Sequence, residues 1–356
     1  MANVLGLRKG FIGIIEGLAD ATASLLKIAS GWFSDRIGRR KPLVLAGYVL
    51  STMSKPLLAL AQLGWHVLAV RVADRTGKGI RTSARDALIA DSTAPESRGH
   101  AFGFHRAMDT AGAIVGTLLG ILLLQYFAGD YRAVFLLVTV AGVLAAFSLA
   151  FGISDKQARS SPRQAHATAE LPGSFVLFLV AHTLFSAGNF SYAFFLLRAQ
   201  DVGVAPALVP ALYLLHNVVY AAVAYPAGVL LDRLGARAAL MLAYLIHAVV
   251  CLGLGLFAEP YLMPLWFVVY GMQLGAIGAA ARGVASTLSR TDRRGLGLGV
   301  FHACEGAGLL VASVIGGALW DRLGCGGAPF YYGAAMALVA TFVISRALKT
   351  PSSANK

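Results

Sequence analysis

Apolar residues fill long stretches of this chain, and short polar turns separate them. Each stretch has about 20 residues, the length that an α-helix needs to cross the ~30 Å hydrocarbon core of a bilayer. The pattern therefore predicts an all-α integral membrane protein with eleven spanning helices. Their expected bounds are 11–32, 42–63, 65–90, 100–128, 131–151, 173–198, 205–231, 238–258, 262–289, 296–320 and 328–348.

Composition excludes several classes of protein. Hydrophobic residues make up 57% of the chain and charged residues 13%, whereas soluble domains carry about 25% charged residues. Such a chain lacks the polar shell of a soluble enzyme or a nucleic-acid-binding domain. Its 3 cysteines are too scattered for a disulfide framework or a zinc site. We therefore expect no enzyme activity, metal, cofactor or nucleic-acid partner, and no ATP-driven transport, because a phosphate-binding glycine loop is missing.

The formal net charge is +13, and the basic residues behind it are distributed unevenly between the two sides of the predicted membrane topology. One alternating set of loops carries 16 lysines and arginines, and the other set carries five. Lysine and arginine concentrate in cytoplasmic loops, so the first set and the C-terminus are expected on the cytoplasmic side of the inner (plasma) membrane. The first set comprises 36–41, 96–100, 152–172, 232–237, 289–294 and the tail from 346.

The two halves of the chain resemble each other at an offset of 197 residues. Parallel repeats of six spans build one large class of transporters. The matched pairs are Gly31 with Gly228, Asp35 with Asp232, Arg36 with Arg233, Gly38 with Gly235, Arg40 with Arg237, Arg85 with Arg282 and His105 with His302; Arg98-Gly99 matches Arg294-Gly295 with a one-residue slip.

The repeat predicts a domain organisation. We expect a five-helix bundle over 1–151, a cytoplasmic linker over 152–172, a six-helix bundle over 173–350 and a disordered tail over 351–356. In this frame the span 173–198 has no counterpart, because its match would precede Met1. The repeat therefore predicts that the first half lacks its first helix, through truncation or a misplaced start. A genuine eleven-span protein is the alternative.

The loop GWFSDRIGRRKPL at 31–43 and its copy GVLLDRLGAR at 228–237 carry a specific pattern. Glycine allows close helix approach, and aspartate can cap a helix N-terminus. The pattern resembles the signature loop of the major facilitator superfamily. That resemblance implies two six-helix repeats, a carrier that alternates access, and a cytoplasmic latch at Asp35, Arg36 and Arg39. The full set of predicted gating residues is Gly31, Asp35, Arg36, Gly38, Arg39, Arg40, Asp232, Arg233, Arg85 and Arg282.

Charged residues inside the spans suggest the transport chemistry, because each is costly in a bilayer. Arg75, Lys78 and Arg81 share one broad face of the span 65–90, which favours an anionic group. Arg85, Asp86 and Asp91 at the cytoplasmic end of that span are expected to form gate pairs. His105, Asn189 and Asn217 are further candidates for substrate contact, and His105 and His302 for proton relay. The candidates for proton coupling are Asp20, Asp109, Glu16 and Glu305.

Several alternatives stay open at this point. The acids can instead serve as ion-pair partners of the basic stripe. Gly112, Gly116 and Gly120 are spaced like a glycine motif of antiporters, which favours export of drugs or metabolites, whereas the basic stripe favours an organic anion. A non-transporting or inactive truncated membrane protein is the competing class. We expect a monomer in the lipid bilayer, with a small-molecule substrate and protons as its partners.

Overall fold

The structure, a computed structural model, describes residues 9–128, 130–153, 172–205, 208–257, 259–324 and 326–347. The side chains of residues 9–21, 24, 131 and 347 lie outside this description. Within these ranges the chain is helical and contains no strand. The helices are α1 (Lys9–Ile37), α2 (Lys41–Ala59), α3 (Gly64–Asp91), α4 (Arg98–Tyr126), α5 (Tyr131–Gly152), α6 (Gly173–Gly188), α7 (Tyr192–Asp201), α8 (Val209–Leu256), α9 (Met263–Leu288), α10 (Arg294–Leu323) and α11 (Ala328–Ala347).

The predicted all-α architecture is confirmed for the described residues. Eight helical stretches of the described chain are long and apolar enough to cross a membrane. The span expected at 173–198 is broken into α6 and α7, with Asn189 at the C-cap of α6 in extended conformation. The stretch Val209–Leu256 holds two of the expected spans.

A glycine with positive φ marks both copies of the signature loop. Gly38 ends the turn after α1 with φ of 71°. Gly235 interrupts α8 with φ of 78°. Only glycine adopts this backbone region without steric cost. The two values place the same turn at repeat-matched positions, so the repeat seen in the sequence extends to backbone conformation.

α3 carries more charged residues than the other long helices. Its 28 residues extend about 42 Å at 1.5 Å per residue, which is more than a bilayer core requires. It packs closely on α2 through glycine: a Cβ at Gly47 would lie 2.5 Å from the Gly77 carbonyl oxygen. Backbones that approach this closely hold α3, and therefore its polar side chains, in a fixed register with α2.

The described residues divide into two compact units. The first comprises the described parts of Met1–Ser92, Gly116–Thr168 and Arg290–Ala303. The second comprises the described parts of Thr93–Val115, Ala169–Ser289 and Cys304–Lys356. The start of α10 thus belongs to the unit that holds α1–α3. The predicted bundles 1–151 and 173–350 stay a prediction; residues 154–171 of the linker and the predicted tail 351–356 lie outside the described residues.

Matched helices of the two repeats are buried to different degrees. In the most apolar part of α4, 11% of residues are buried, and in α5 none are; the values for α10 and α11 are 33% and 44%. A Cβ at Gly316 of α10 would lie 2.6 Å from the Phe190 ring, while one at the matching Gly120 of α4 has no described atom within 4 Å. Phe190 lies between α6 and α7, so these helices cover the α10 face. The predicted lack of a first helix remains a prediction.

Candidate functional site

Asp35 lies at the C-terminal end of α1 and caps the N-terminus of α10. The amides of Gly295 and Leu296 donate to its two carboxylate oxygens at 3.0 and 2.7 Å. The first amides of a helix have no partner within the helix, and the helix dipole favours negative charge there. Asp35 therefore fixes the start of α10 on the end of α1.

A layer of buried ion pairs surrounds this cap. Arg40 is 1% exposed, and its Nη1 lies 2.5 Å from Asp35 Oδ1, while its Nε donates to Asp91 at 3.3 Å. The Asp91 carboxylate also accepts a hydrogen bond from Arg294, the first residue of α10. Ser34 accepts from Arg40 at 2.5 Å. Two arginines and two aspartates thus alternate across α1, the N-cap of α2, α3 and α10, so that each charge has an opposite neighbour.

Glycine permits the close crossing beneath the cap. A Cβ at Gly31 would lie 2.1 Å from the Gly295 carbonyl oxygen, and one at Gly295 would lie 2.6 Å from the Gly31 oxygen. One turn further, a Cβ at Gly299 would meet the Lys27 carbonyl oxygen at 2.6 Å. No side chain fits at these positions while the helices keep this spacing.

The second copy of the motif makes the same cap at the repeat-matched position. The amides of Gly99 and His100, at the start of α4, donate to the Asp232 carboxylate at 2.9 and 2.8 Å. A Cβ at Gly228 would lie 2.1 Å from the Gly99 carbonyl oxygen. Each copy thus joins the end of one helix to the start of a helix from the other half of the sequence.

The ionic layer differs between the copies. Arg98, which matches Arg294, donates to the Ser286 carbonyl oxygen and to the Thr287 hydroxyl at 3.2 and 3.4 Å. The position that matches Asp91 is Leu288. Within the described part of the chain, Asp232 makes no ion pair, and its residue is exposed. The second cap therefore depends on backbone hydrogen bonds and neutral partners.

The structure distributes the other predicted gating residues unevenly. Arg36 and Arg39 are exposed, as is Arg233; Arg36 lies over the Trp32 ring at 5.3 Å. Arg40 is therefore the arginine that pairs with Asp35, although the family pattern suggested Arg36 and Arg39. Sequence spacing does not decide which of several adjacent arginines points inward from a turn.

The repeat-matched arginines Arg85 and Arg282 also have different neighbours. Arg85 donates from Nη2 to Asp86 at 3.1 Å. Arg282 donates to the Gly278 carbonyl oxygen of its own helix at 3.0 Å.

A buried pair links α3 and the start of α10. His302 Nε2 lies 2.8 Å from Asp86 Oδ2, and the two side chains are 2% and 0% exposed. Sequence reasoning named Asp86 as a gate acid and His302 as a relay, but it did not bring them together. Their separation of 216 residues leaves no local signal for the contact.

The loop before α10 holds a more exposed ion pair. Arg290 Nε lies 3.1 Å from Asp292 Oδ1. Partial burial raises the pKa of the Asp292 carboxyl, but the hydrogen bond and charge of Arg290 outweigh it, so the pKa lies below its ordinary value of 3.8. Asp292 is therefore ionised throughout the neutral pH range.

The basic candidates for substrate binding lie along α3 in the first unit. Lys78 is exposed, and Arg75 and Arg81 are half-buried. The Arg81 guanidinium lies over the Tyr48 ring at 4.3 Å, a cation–π contact that fixes its position. The described stripe therefore presents several positive charges on one helix.

The second unit holds the other substrate candidates. His105 is half-buried on α4. Asn217 donates to the Tyr213 carbonyl oxygen of its own helix at 2.8 Å. Asn189 lies at the α6–α7 break, and its Oδ1 is buried without a hydrogen-bond partner among the described residues. A buried acceptor beside a broken helix is a candidate contact for a ligand.

The candidate proton-coupling acids fall into two groups. Asp109 is 52% exposed and pairs with Arg106 at 3.3 Å, and Glu305 is half-buried on α10. The side chains of Glu16 and Asp20 on α1 lie outside the described residues.

The contacts correct one detail of the repeat. Gly99 and Gly103 take the places of Gly295 and Gly299, so α4 and α10 match at an offset of 196. Asp109 therefore corresponds to Glu305, and His302 corresponds to Arg106. The predicted match of His105 with His302 is wrong by one residue, because the slip at Arg98-Gly99 continues along the whole helix.

In the sequence, Arg106 directly follows His105 and precedes the candidate acid Asp109 by three residues. In the second unit its guanidinium lies over the Tyr220 ring at 5.6 Å and within 3.4 Å of a Cβ at Gly278. It is a further positive charge beside an aromatic side chain. No metal-binding cluster of histidine, cysteine and acidic residues occurs in the described ranges.

Comparison with known proteins identifies the family. A model described as Major Facilitator Superfamily matches residues 1–197 and 176–356. The chain belongs to the major facilitator superfamily, and members of this family are membrane transporters rather than enzymes.

Two relatives illustrate the range of similarity. An uncharacterized MFS-type transporter of Methanocaldococcus jannaschii is 33% identical over 344 residues, which cover 94% of this chain and 85% of the relative. The multidrug resistance protein MdtH of Aeromonas hydrophila is 34% identical over 133 residues, which cover 37% of this chain and 32% of the relative.

Solved structures share the fold at low sequence identity. The human organic anion transporter MFSD10 superposes with a TM-score of 0.79 at 15% identity, covering 96% of this chain and 87% of that protein. A variant of the Escherichia coli fucose:proton symporter FucP gives 0.79 at 14% identity, covering 96% and 92%. The protein is thus an integral membrane transporter of the major facilitator fold.

Proposed function

We propose that the protein is a proton-coupled secondary transporter that moves a small organic solute by alternating access. The observation that carries the alternating-access part of this proposal is the Asp35 cap on α10 with its ionic layer of Arg40, Asp91 and Arg294. A latch of this kind joins segments from both halves of the sequence. It has the parts required for a cytoplasmic gate that closes and reopens.

The chemistry of the latch suits reversible closure. A carboxylate on a helix N-terminus stabilises the contact by about 0.3–1 kcal/mol, and by about 2 kcal/mol where it is partly buried. Each buried charge of the layer faces an opposite charge, so the layer is favourable only while all partners are in place. Separation of α10 from α1 and α3 would expose these charged groups to water. In an open state, water would then replace the lost ion-pair partners.

The interior charges supply the proposed substrate and proton sites. Arg75, Lys78 and Arg81 on α3 would attract an anionic group, with His105, Asn189 and Asn217 as further contacts. Asp109 and Glu305 occupy matched positions in the two repeats, and we include them with Glu16 and Asp20 as carriers of the coupling proton.

The proposed location and orientation in the membrane rest on the distribution of charge among the loops. We place the protein as a single chain in the inner (plasma) membrane, with the basic loops and the C-terminus on the cytoplasmic side. The Asp35 cap, next to the basic loop 36–41, then belongs to the cytoplasmic gate.

Reconstitution into liposomes with an imposed pH gradient tests the proposal. The probes are radiolabelled benzoate for the anion class and ethidium for amphipathic cations. We expect gradient-driven movement of one probe, abolished by a protonophore and reduced at least tenfold in Asp35→Asn. Asp130→Asn, which removes the N-cap charge of α5, is the matched control and should retain transport. Transport of both probes that ignores the pH gradient would contradict proton coupling.

Export of drugs or metabolites is the second candidate. The relationship to the multidrug resistance protein MdtH over 37% of the chain supports it, as does the glycine spacing at Gly112, Gly116 and Gly120. The two probes separate the candidates: ethidium movement favours export of amphipathic compounds, and benzoate movement favours the organic anion.

A further inference from the structure

We propose that Asp86 and His302 together form the site that binds the coupling proton. The proposal rests on the proton coupling proposed above and assigns it to residues outside the candidate acids. His302 Nε2 and Asp86 Oδ2 are 2.8 Å apart, and both side chains are almost completely buried. Asp86 Oδ1 also accepts from Arg85 at 3.1 Å. The carboxylate is therefore held between a permanent cation and a titratable one.

The chemistry of histidine distinguishes this pair from its neighbours. Arginine keeps its charge throughout the physiological pH range, so the contacts of Arg40 and Arg294 with Asp91 do not change with pH by loss of the guanidinium proton. An imidazole gains and loses a proton near neutral pH. Among the ion pairs whose two side chains are both described, only that of Asp86 includes a histidine.

The described elements around the pair carry the following groups. On α3, Arg85 contacts Asp86 and Arg81 lies one turn earlier. On α1, the Lys27 carbonyl lies against Gly299, one turn before His302. The α2 face near Ala84 is apolar, formed by Leu43 and Val44. Glu305 follows one turn later on α10, and the side chains of Glu16 and Asp20 on α1 lie outside the description.

The position of the pair connects it to the latch. His302 lies eight residues after Arg294 on the same helix, or about 12 Å at 1.5 Å per residue. A protonated imidazole forms an ion pair with Asp86 and holds α10 on α3. When the proton leaves, the neutral imidazole can still share a hydrogen bond with the Asp86 carboxylate, but the attraction between two opposite charges is lost, so the contact becomes weaker. Proton release therefore loosens the start of α10 where Asp35 caps it.

The second repeat lacks this site. The residues that match Asp86 and His302 are Gly283 and Arg106. A glycine has no group to titrate, and an arginine does not release its proton. The Asp86–His302 pair therefore has no titratable counterpart at the repeat-matched positions, and it lies in the copy that also carries the ionic layer.

Hydrogen exchange measured by mass spectrometry on the purified protein in nanodiscs tests the site without a substrate. We expect the amides of 294–303 to become more protected between pH 7.5 and 5.5, after correction for intrinsic exchange. One bound proton allows a change of at most tenfold per pH unit. His302→Gln, which keeps a hydrogen-bond donor, should remove this pH dependence, and Asp86→Asn should remove it and lower the protection.

His182→Gln is the matched control, because His182 is equally buried and contacts Tyr244 at 3.1 Å in the second unit. It should keep the pH dependence of 294–303. A wild-type protein without pH dependence, or a His302→Gln variant that retains it, would overturn the proposal. So would its loss in His182→Gln.

The two proposals fail separately. If neither probe moves with the pH gradient while 294–303 keeps its pH dependence, the proton-coupled function is removed, and the pair remains a proton site without a coupling role. The reverse result removes the site and leaves the function.

Discussion

The two caps of this protein share a backbone arrangement and differ in their charges. Asp35 and Asp232 each accept two amide hydrogen bonds from a helix N-terminus. Beneath each cap two helices cross at a glycine, where a Cβ would lie 2.1 Å from a carbonyl oxygen. Around Asp35 lie the buried Arg40 and the bridging Asp91. Around Asp232 the chain has Leu288 in place of Asp91, and Arg98 binds neutral groups.

This comparison distinguishes the features that the fold requires from the features that a pH-dependent gate would require. Close helix crossing and a capped N-terminus recur in both copies, so they belong to the architecture. The ionic layer and the Asp86–His302 pair occur in the first copy alone among the described residues. We therefore propose that the pH-sensitive part of the gate lies in the first copy, and that the second is a counterpart without the ionic layer.

The largest expected difference between the copies comes from removing the capping charge. Asp35→Asn leaves the buried Arg40 without one of its carboxylate partners, and breaking a buried ion pair costs about 3–5 kcal/mol. Asp232→Asn loses only the charge at a helix N-terminus, which costs about 0.3–1 kcal/mol. Unfolding of both variants in the same detergent measures the difference. Equal losses would mean that the ionic layer adds nothing.

Replacement of the glycine at either helix crossing should lower the stability of the protein by a similar amount. Gly31→Ala and Gly228→Ala each place a Cβ 2.1 Å from a carbonyl oxygen, and overpacking of this kind costs about 1–3 kcal/mol. We expect similar losses of thermal stability in the two variants, with Gly173→Ala as the control, since no described atom lies within 4 Å of its Cβ. A loss confined to Gly31→Ala would show that the two crossings are not equivalent.

Leucine should lower the stability of the protein at Gly316 of α10 but not at the matching Gly120 of α4. Gly316→Leu meets the Phe190 ring and should lose about 1–3 kcal/mol. Gly120→Leu enters a space that no described atom occupies, so its stability should change by less than about 0.5 kcal/mol. Both variants gain the same helix propensity, which makes each the control of the other. Destabilisation of Gly120→Leu as large as that of Gly316→Leu would mean that the α4 face is covered.

The smallest effect is expected at the exposed pair Arg290–Asp292. The pKa of Asp292 lies below its unfolded value, so its contribution is present above about pH 4 and is lost as the pH falls through the folded pKa. Arg290→Ala should therefore change stability by less than about 0.5 kcal/mol at neutral pH, with no dependence between about pH 6 and 8. Unfolding curves at several pH values would detect a larger role in the gate.

Much of the fold could be predicted from the sequence, because apolar length and turn glycines are local signals. Gly38 and Gly235 marked both signature turns, and both have positive φ. The break at Asn189 was not predicted, since the apolar stretch 173–198 continues through it. The register of α4 and α10 was also mistaken at His105, because a slip at the helix start shifts every later residue.

The candidate site was less predictable, since its contacts join distant parts of the chain. Asp35 and Gly295 are 260 residues apart, so no sequence pattern indicated that the acid would cap that helix. The choice of Arg40 over Arg39 depends on which side of a turn faces α10. Asp86 and His302 were noted separately, and only the packing of α3 against α10 places them in contact.

A pair of double-mutant cycles tests the contrast between the caps most directly. The first cycle removes Asp35 and Arg40, and the second removes the repeat-matched Asp232 and Arg237, with unfolding free energies measured under identical conditions. We expect a coupling energy of about 1–3 kcal/mol for the first pair and less than about 0.5 kcal/mol for the second. Equal coupling energies in the two cycles would contradict the assignment of the ionic gate to the first copy.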